Sequence, residues 1–183
     1  MSWLVRFPLR PRIEPLPIDG VDSPSQSGGM AKLVALIGTA ALGLVAVVGG
    51  FEGKENDPYK DRLAHDLLTV CYGETNVPMR HYSDAECKDM LAGSLADYAK
   101  GVLERNPELK GHDPQVLAAT SLAYNIGLGA YRKSSTAKLF SAGPQYWKAA
   151  CAGFLKYRFA GGKPVQGLLN RRLKEREICL RGL

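Results

Sequence analysis

Residues 33 to 61 read LVALIGTAALGLVAVVGGFEGKENDPYKD, and the reading of the whole chain turns on this stretch. Leu33 to Gly50 are eighteen residues without a charge, and Phe51 extends the run to nineteen, about the length that crosses a bilayer as a helix. Glu52 follows at once, and Asp61 stands nine residues beyond it. Nine of the eighteen are large aliphatics; the rest are four Ala, four Gly and Thr39. Large aliphatics favour insertion by only roughly 0.3 to 0.6 kcal/mol each, and small residues add little, so insertion is marginal. Lys32 and the arginines upstream would hold the N-terminus inside, which sends everything after Phe51 out. A permanent anchor, a cleavable signal peptide and a weak signal anchor that later leaves the bilayer all fit. Val48-Gly49-Gly50 is a poor cleavage site. A buried soluble helix is the fourth reading.

Upstream, residues 1 to 29 are rich in Pro, Gly and Ser and lack helical periodicity, as expected of a disordered tail. Met30-Ala-Lys32 also reads as an alternative start. The expected organisation is a tail over 1–29, an anchor segment over 30–51 and one domain over 52–183. A chain of 183 residues has room for one ordinary domain and an appendage, and 45% hydrophobic residues suffice for a packed core. The net charge is +6. Three arginines and three acids cancel in the first 29 residues, so the whole excess lies in 30–183. A basic domain favours an acidic partner such as nucleic acid, anionic lipid or cell wall. Zinc-finger spacing, an RNP-like aromatic run and a dense Lys/Arg block are all missing, which argues against nucleic acid.

Downstream, Asn56-Asp57-Pro58 gives turn signals and LLTVCYG at 67–73 has strand composition, which together suggest a small hairpin. Helices follow. Ser83-Asp-Ala-Glu86 is a capping box, and Met90, Leu91, Leu95, Tyr98 and Leu103 mark the apolar stripe of its helix up to Asn106-Pro107. Asp113 reads as an N-cap before Pro114, for a helix reaching Ile126. Ser134-Ser135 open a short helix that stops near Gly143. Pro144 opens another that closes at Gly161-Gly162. The last helix carries Leu168, Leu169, Leu173, Ile178 and Leu180, with Arg171 facing Glu175 at i, i+4. The expected fold is α+β, mainly helical with one small sheet near its start.

Glu52, Asp61 and Thr69 are the candidate catalytic residues. Cleaving a glycosidic bond commonly uses two carboxyl groups, one protonated acid and one charged base or nucleophile. The acid needs an apolar setting, and Glu52 ends an apolar run beside Phe51. Asp61 lies where a hairpin could aim it across a cleft, and the Thr69 hydroxyl could hold a water. Spacing alone does not single them out, because any helix end followed by a hairpin offers such residues. The four cysteines, Cys71, Cys87, Cys151 and Cys179, show no CxxC spacing and no cluster with His, so neither a metal nor a cofactor is expected.

The order of motifs narrows the choice. E-G-x6-Y-K-D at 52–61, followed by T-V-C-Y-G-E-T at 69–75, resembles the phage lysozyme family, glycoside hydrolase family 24. Tyr82-Ser-Asp-Ala-Glu-Cys87, Ala123-Tyr-Asn125-Ile-Gly127-Leu-Gly129, Gly161-Gly162-Lys163 and Gly167-Leu168-x-x-Arg171-Arg172-x-x-Glu175 resemble its later motifs in the same order. An apolar run ending just before the Glu further resembles the signal-anchor-release endolysins. The resemblance implies a lysozyme-like fold with its hairpin near the active site, and hydrolysis of the β-1,4 bond between N-acetylmuramic acid and N-acetylglucosamine in peptidoglycan. It implies that Glu52 is the general acid and that Asp61 and Thr69 position and activate water. It also implies export as a monomer tethered to the inner membrane through residues 33–51, inactive until the segment leaves the bilayer and refolds into a domain acting in the periplasm.

Several positions depart from the family. Eight positions separate Asp61 from Thr69 where the family usually has six, so RLAHDLL is about two residues longer and Asp66 is an alternative participant. Glu74 stands where relatives often have His, and Thr75 is a weaker stand-in for Thr69. His65, His81 and His112 are expected to face solvent, Trp147, Tyr146 and Tyr157 to serve the core, and Arg171 to pair structurally with Glu175. Four cysteines allow three pairings. We expect Cys71 with Cys87, tying strand to helix, and Cys151 with Cys179, tying two late helices; the others stay open. The rival readings are a lytic transglycosylase, which would dispense with Asp61, a non-catalytic membrane-anchored wall-binding protein, and a basic nucleic-acid binder.

Overall fold

In the computed structural model, which describes residues 28–61 and 66–183, the apolar run folds as two helices instead of one. The first, α1, is Gly29–Ile37 and the second, α2, is Ala40–Phe51. The break falls at Gly38, whose φ of 57° and ψ of −137° lie where only glycine sits without strain. Leu33, Ile37, Ala40, Ala41, Leu44, Val45 and Val48 are buried in the core of the domain. Among the described residues no helix is long and apolar enough to cross a membrane. Of the expected tail over 1–29, residues 1–27 lie outside the described residues, as do His65 and the extra residues before Asp66, while Gly28 is the N-cap of α1 and Gly29 begins it.

After α2 the chain makes an antiparallel hairpin of β1, Glu55–Asp61, and β2, Leu67–Cys71. Tyr59 faces Thr69 and Asp61 faces Leu67, with an irregular register between Glu55 and Tyr59. Asn56-Asp57-Pro58, expected as a turn, lies inside β1 at this irregularity. Both strands of a two-stranded sheet are edges, so Pro58, which lacks an N–H, is tolerated there. Helix α3 is Asp84–Arg105. Its capping box forms as expected: Ser83 Oγ accepts from the Glu86 amide, and the Ser83 amide donates to Glu86 Oε2. Leu91, Leu95, Tyr98 and Val102 make its buried stripe. Helix α4 is Asp113–Ile126; its N-cap is His112, so Asp113 is the first helical residue instead of the cap.

The chain continues through α5, Leu128–Lys133, and α6, Ser135–Ser141, which Ser134 caps. Helix α7, Trp147–Ala152, is short and lies between 3-10 turns at Pro144–Tyr146 and Gly153–Tyr157. It does not run on to Gly161. Instead β3, Phe159–Ala160, and β4, Lys163–Pro164, form an unexpected second hairpin around Gly161-Gly162. Both glycines have positive φ, which this tight turn demands. The last helix, α8, is Gln166–Cys179. Of its expected apolar residues Leu168 and Ile178 are buried and Leu173 is exposed, and Arg171, Arg172 and Glu175 are wholly buried beside them.

Helices α2, α3, α4 and α8 surround the core, with α1 laid across α3. Two disulfides, Cys71–Cys87 and Cys151–Cys179, tie β2 to α3 and α7 to α8, with the pairing expected from the sequence.

Candidate active site

Glu52 is the residue at which α2 stops: its amide still donates to the Val48 carbonyl at 3.1 Å, while its own backbone is extended. The side chain therefore emerges where the helix gives way to the hairpin, 20% exposed. Facing it is Arg171, whose Nη1 donates to Glu52 Oε1 at 2.7 Å. Arg171 is held from behind: Nε donates to Glu175 Oε1 at 3.2 Å and Nη2 to the Ser121 carbonyl at 3.3 Å. The guanidinium carbon also lies 5.0 Å from the centre of the Phe51 ring. The apolar setting expected for Glu52 is therefore only half realised. Phe51 is present, but a buried cation meets the carboxylate.

Glu175 anchors the cluster. Its Oε1 accepts from Ser121 Oγ at 2.6 Å and Arg172 Nη2 at 2.8 Å, and its Oε2 lies 2.7 Å from Arg172 Nε. Arg172 Nη1 donates to Asn125 Oδ1 at 3.1 Å. Burial lowers the Arg172 pKa to about 10 despite the attraction of Glu175, so it is a cation at neutral pH. Both buried arginines are paired with Glu175 and hydrogen-bonded to polar neighbours, the arrangement in which buried ions are tolerated. The structural Arg171–Glu175 pair read from the sequence is present, and it carries a function the spacing did not disclose: it aims Arg171 at Glu52.

Asp61 is half-buried at the end of β1 and accepts, through its carbonyl, from the Asp66 amide at 2.9 Å. Thr69 is 2% exposed, and its hydroxyl donates to the Leu67 carbonyl at 2.9 Å. Because Asp61 pairs with Leu67 and side chains alternate along a strand, Asp61 and Thr69 share one face of the hairpin as diagonal neighbours, roughly 7–8 Å apart. Asp66 is exposed in a left-handed turn conformation. The structure thus joins Asp61 to Thr69 on the hairpin, and Glu52 to Arg171 on the helical side. Glu74 accepts from Ser94 Oγ at 3.2 Å, a contact between the hairpin's exit and α3.

Sequence reasoning missed Ser121 and the Glu52 contact of Arg171. The i, i+4 spacing betrays Arg171 with Glu175, but nothing local betrays a contact across 119 residues. The aromatics divide: Trp147 is core, with Nε1 donating to the Phe140 carbonyl, Tyr157 is half-buried and Tyr146 is exposed. His81 and His112 are exposed as expected, although His112 packs edge-on against Trp147. Among the described residues no group of three or more His, Cys, Asp or Glu could hold a metal.

Comparison with known proteins places this geometry in context. The phage lysozyme family model matches residues 49–175. The SAR-endolysin of bacteriophage PS119 is 36% identical over 155 residues, covering 79% of this chain and 89% of that protein. The SAR-endolysin of enterobacteria phage P21 is 36% identical over 162 residues, covering 82% and 94%. Among solved structures, the endolysin from Escherichia coli O157:H7 phage FAHEc1 superposes with a TM-score of 0.64 at 20% identity, covering 80% of this chain and 94% of that one. The active form of P1 phage endolysin Lyz gives 0.63 at 23%, covering 84% and 94%. These two likenesses show a lysozyme-like fold. The family match spans Glu52, the hairpin and the buried arginine cluster alike, and the chain belongs to the phage lysozyme family.

Proposed function

We propose that the protein is a phage endolysin, a muramidase that cleaves peptidoglycan. The observation that carries this is a partly exposed Glu52, oriented by the buried Arg171, at the junction of α2 with the hairpin of Asp61 and Thr69, all within the family match. The SAR-endolysin relatives support the same reading.

In the reaction, Glu52 gives its proton to the glycosidic oxygen as the C1–O bond breaks. A water held by Thr69 and Asp61 attacks the opposite face of the sugar, forming the new C1–O bond and passing its proton to Asp61. That is an inverting hydrolysis. Proton transfer by a placed acid is worth about 10² to 10⁴ in rate, so loss of Glu52 is severe. Before it acts, the enzyme is a monomer held in the inner membrane by residues 33–51, N-terminus inside. It works in the periplasm after release. The uncharged length of that run and the SAR-endolysin relatives support this part of the reading. While the run spans, Glu52 sits at the membrane face, away from Arg171.

The test is turbidity loss of outer-membrane-permeabilised Gram-negative cells with purified wild type, Glu52→Gln and Asp61→Asn. Wild type should clear the cells and both variants should fall by at least about 10²-fold while their melting temperatures stay within about 4 °C of wild type. Equal clearing by Glu52→Gln overturns the assignment of the acid. New reducing ends mark hydrolysis; 1,6-anhydro ends would mark a transglycosylase.

A further inference from the structure

The start of α1 is held by an acid from another helix. Asp89, on α3, accepts three backbone N–H groups: Gly28 and Gly29 donate to Oδ2, each at 3.1 Å, and Met30 donates to Oδ1 at 2.9 Å. Gly28 itself offers no side-chain cap, and there is no acid in the first turn. The first N–H groups of a helix have no partner within it, so Asp89 supplies from a distance of about sixty residues what an N-cap normally supplies locally. Its charge also lies at the positive end of the α1 dipole. The seat is closely fitted. A Cβ on Gly29 would come within 2.0 Å of the Asp89 carbonyl oxygen and 2.7 Å of the Gly93 amide. Only glycine lets the α1 backbone reach this cap.

We infer that Asp89 is the latch of the released state: a carboxylate that binds the N-terminus of α1 only once the apolar segment has left the bilayer. The inference rests on the anchoring reading above. With residues 33–51 spanning the membrane, Gly28–Met30 lie on the inner side and Asp89, 38 residues beyond Phe51, lies on the outer side. The three hydrogen bonds cannot form across the bilayer. They therefore stabilise the docked segment alone, and docking is what carries α2 and Glu52 to Arg171. The break at Gly38 serves the same state, since the run must bend there for α1 to cross α3.

The experiment expresses the full chain in bacteria as wild type, Asp89→Asn, Asp89→Ala and the control Asp97→Asn, an exposed acid on the same helix. Membrane-bound and released pools are measured by fractionation, and hydrogen exchange of residues 28–32 is measured on the released protein. An N-cap lost from one side of an equilibrium shifts it about fivefold. Asp89→Ala should lower the released-to-bound ratio by about that factor and speed exchange at Gly29 and Met30 by tenfold or more. Asp89→Asn should lie between, and the control should match wild type. The released Asp89→Asn protein should keep wild-type turnover per mole, which separates a latch from general damage. Should Asp89→Ala fail to fold, the Asp89→Asn ratio decides. Equal ratios in all chains, or faster exchange with an unchanged ratio, would overturn the latch while leaving anchoring intact. A wild type with no membrane pool would overturn the anchoring reading and the latch with it.

Discussion

Arg171 shows how much one residue can carry. It is wholly buried, yet it meets one acid on its own helix and a second at the end of α2. Removing it leaves Glu175 short of a partner in the interior, and breaking a buried pair on one side costs about 3–5 kcal/mol. Arg171→Met should therefore lower the urea midpoint strongly. Glu52→Gln, on a partly exposed side chain, should cost at most about 1 kcal/mol while abolishing turnover. If the two variants are equally unstable, Glu52 is a structural ion as much as a catalytic one. Thr69→Val is the milder case: it keeps the buried shape of the side chain, so its loss should appear in kcat with little change in melting temperature.

At the scale of elements, the hinge and the cap are the sensitive points. Gly38→Ala puts a Cβ into a backbone conformation that costs a non-glycine residue about 1–3 kcal/mol. It leaves the hydrophobic faces of α1 and α2 intact, so chemical denaturation should show the loss without a change in the core's composition. Helix α3 depends on its N-terminus in a pH-sensitive way. Glu86 is lowered to about 2, first by Arg80 Nη2 and then by the Ser83 amide and hydroxyl. A carboxylate depressed in the folded state contributes stability that is present above its unfolded pKa of about 4.3 and is lost as pH falls toward 2. Asp89 adds in the same direction: burial opposes its charge, but the amides of Met30, Gly29 and Gly28 outweigh burial and hold its pKa down. An acid titration of wild type should thus show a decline below pH 4.3 that Glu86→Gln makes shallower.

At the scale of the molecule, the two disulfides join elements that are close in sequence, closing 16 and 28 residues. On loop-closure entropy the longer loop is worth about 0.5 kcal/mol more, on a base of about 3 kcal/mol each. Replacing Cys151 and Cys179 by Ala should lower the melting temperature somewhat more than replacing Cys71 and Cys87. The second pair, however, fixes the hairpin of Asp61 and Thr69 to α3. Its loss should show preferentially in activity, and activity losses ranked the other way would mean that the hairpin holds its place without the bond.

The sequence by itself determined what is local or linear. The capping box, the Ser134 cap, the i, i+4 pair of Arg171 with Glu175, the hairpin and the order of motifs all depend on residues a few positions apart, where spacing dictates contact. It also set the ambiguity of the apolar run, because eighteen uncharged residues rich in Gly and Ala suit a bilayer and a protein core alike. Only the tertiary structure decided between them for this state. Burial against α3 and α4, with a bend at Gly38, uses the same side chains that a continuous span would show to lipid. It likewise decided that α8 buries Arg171, Arg172 and Glu175 beside Leu168 and Ile178, since three ions are tolerated inside only when distant residues, here Glu52, Ser121 and Asn125, complete their hydrogen bonds. A pattern read along one helix cannot contain partners that arrive from two others.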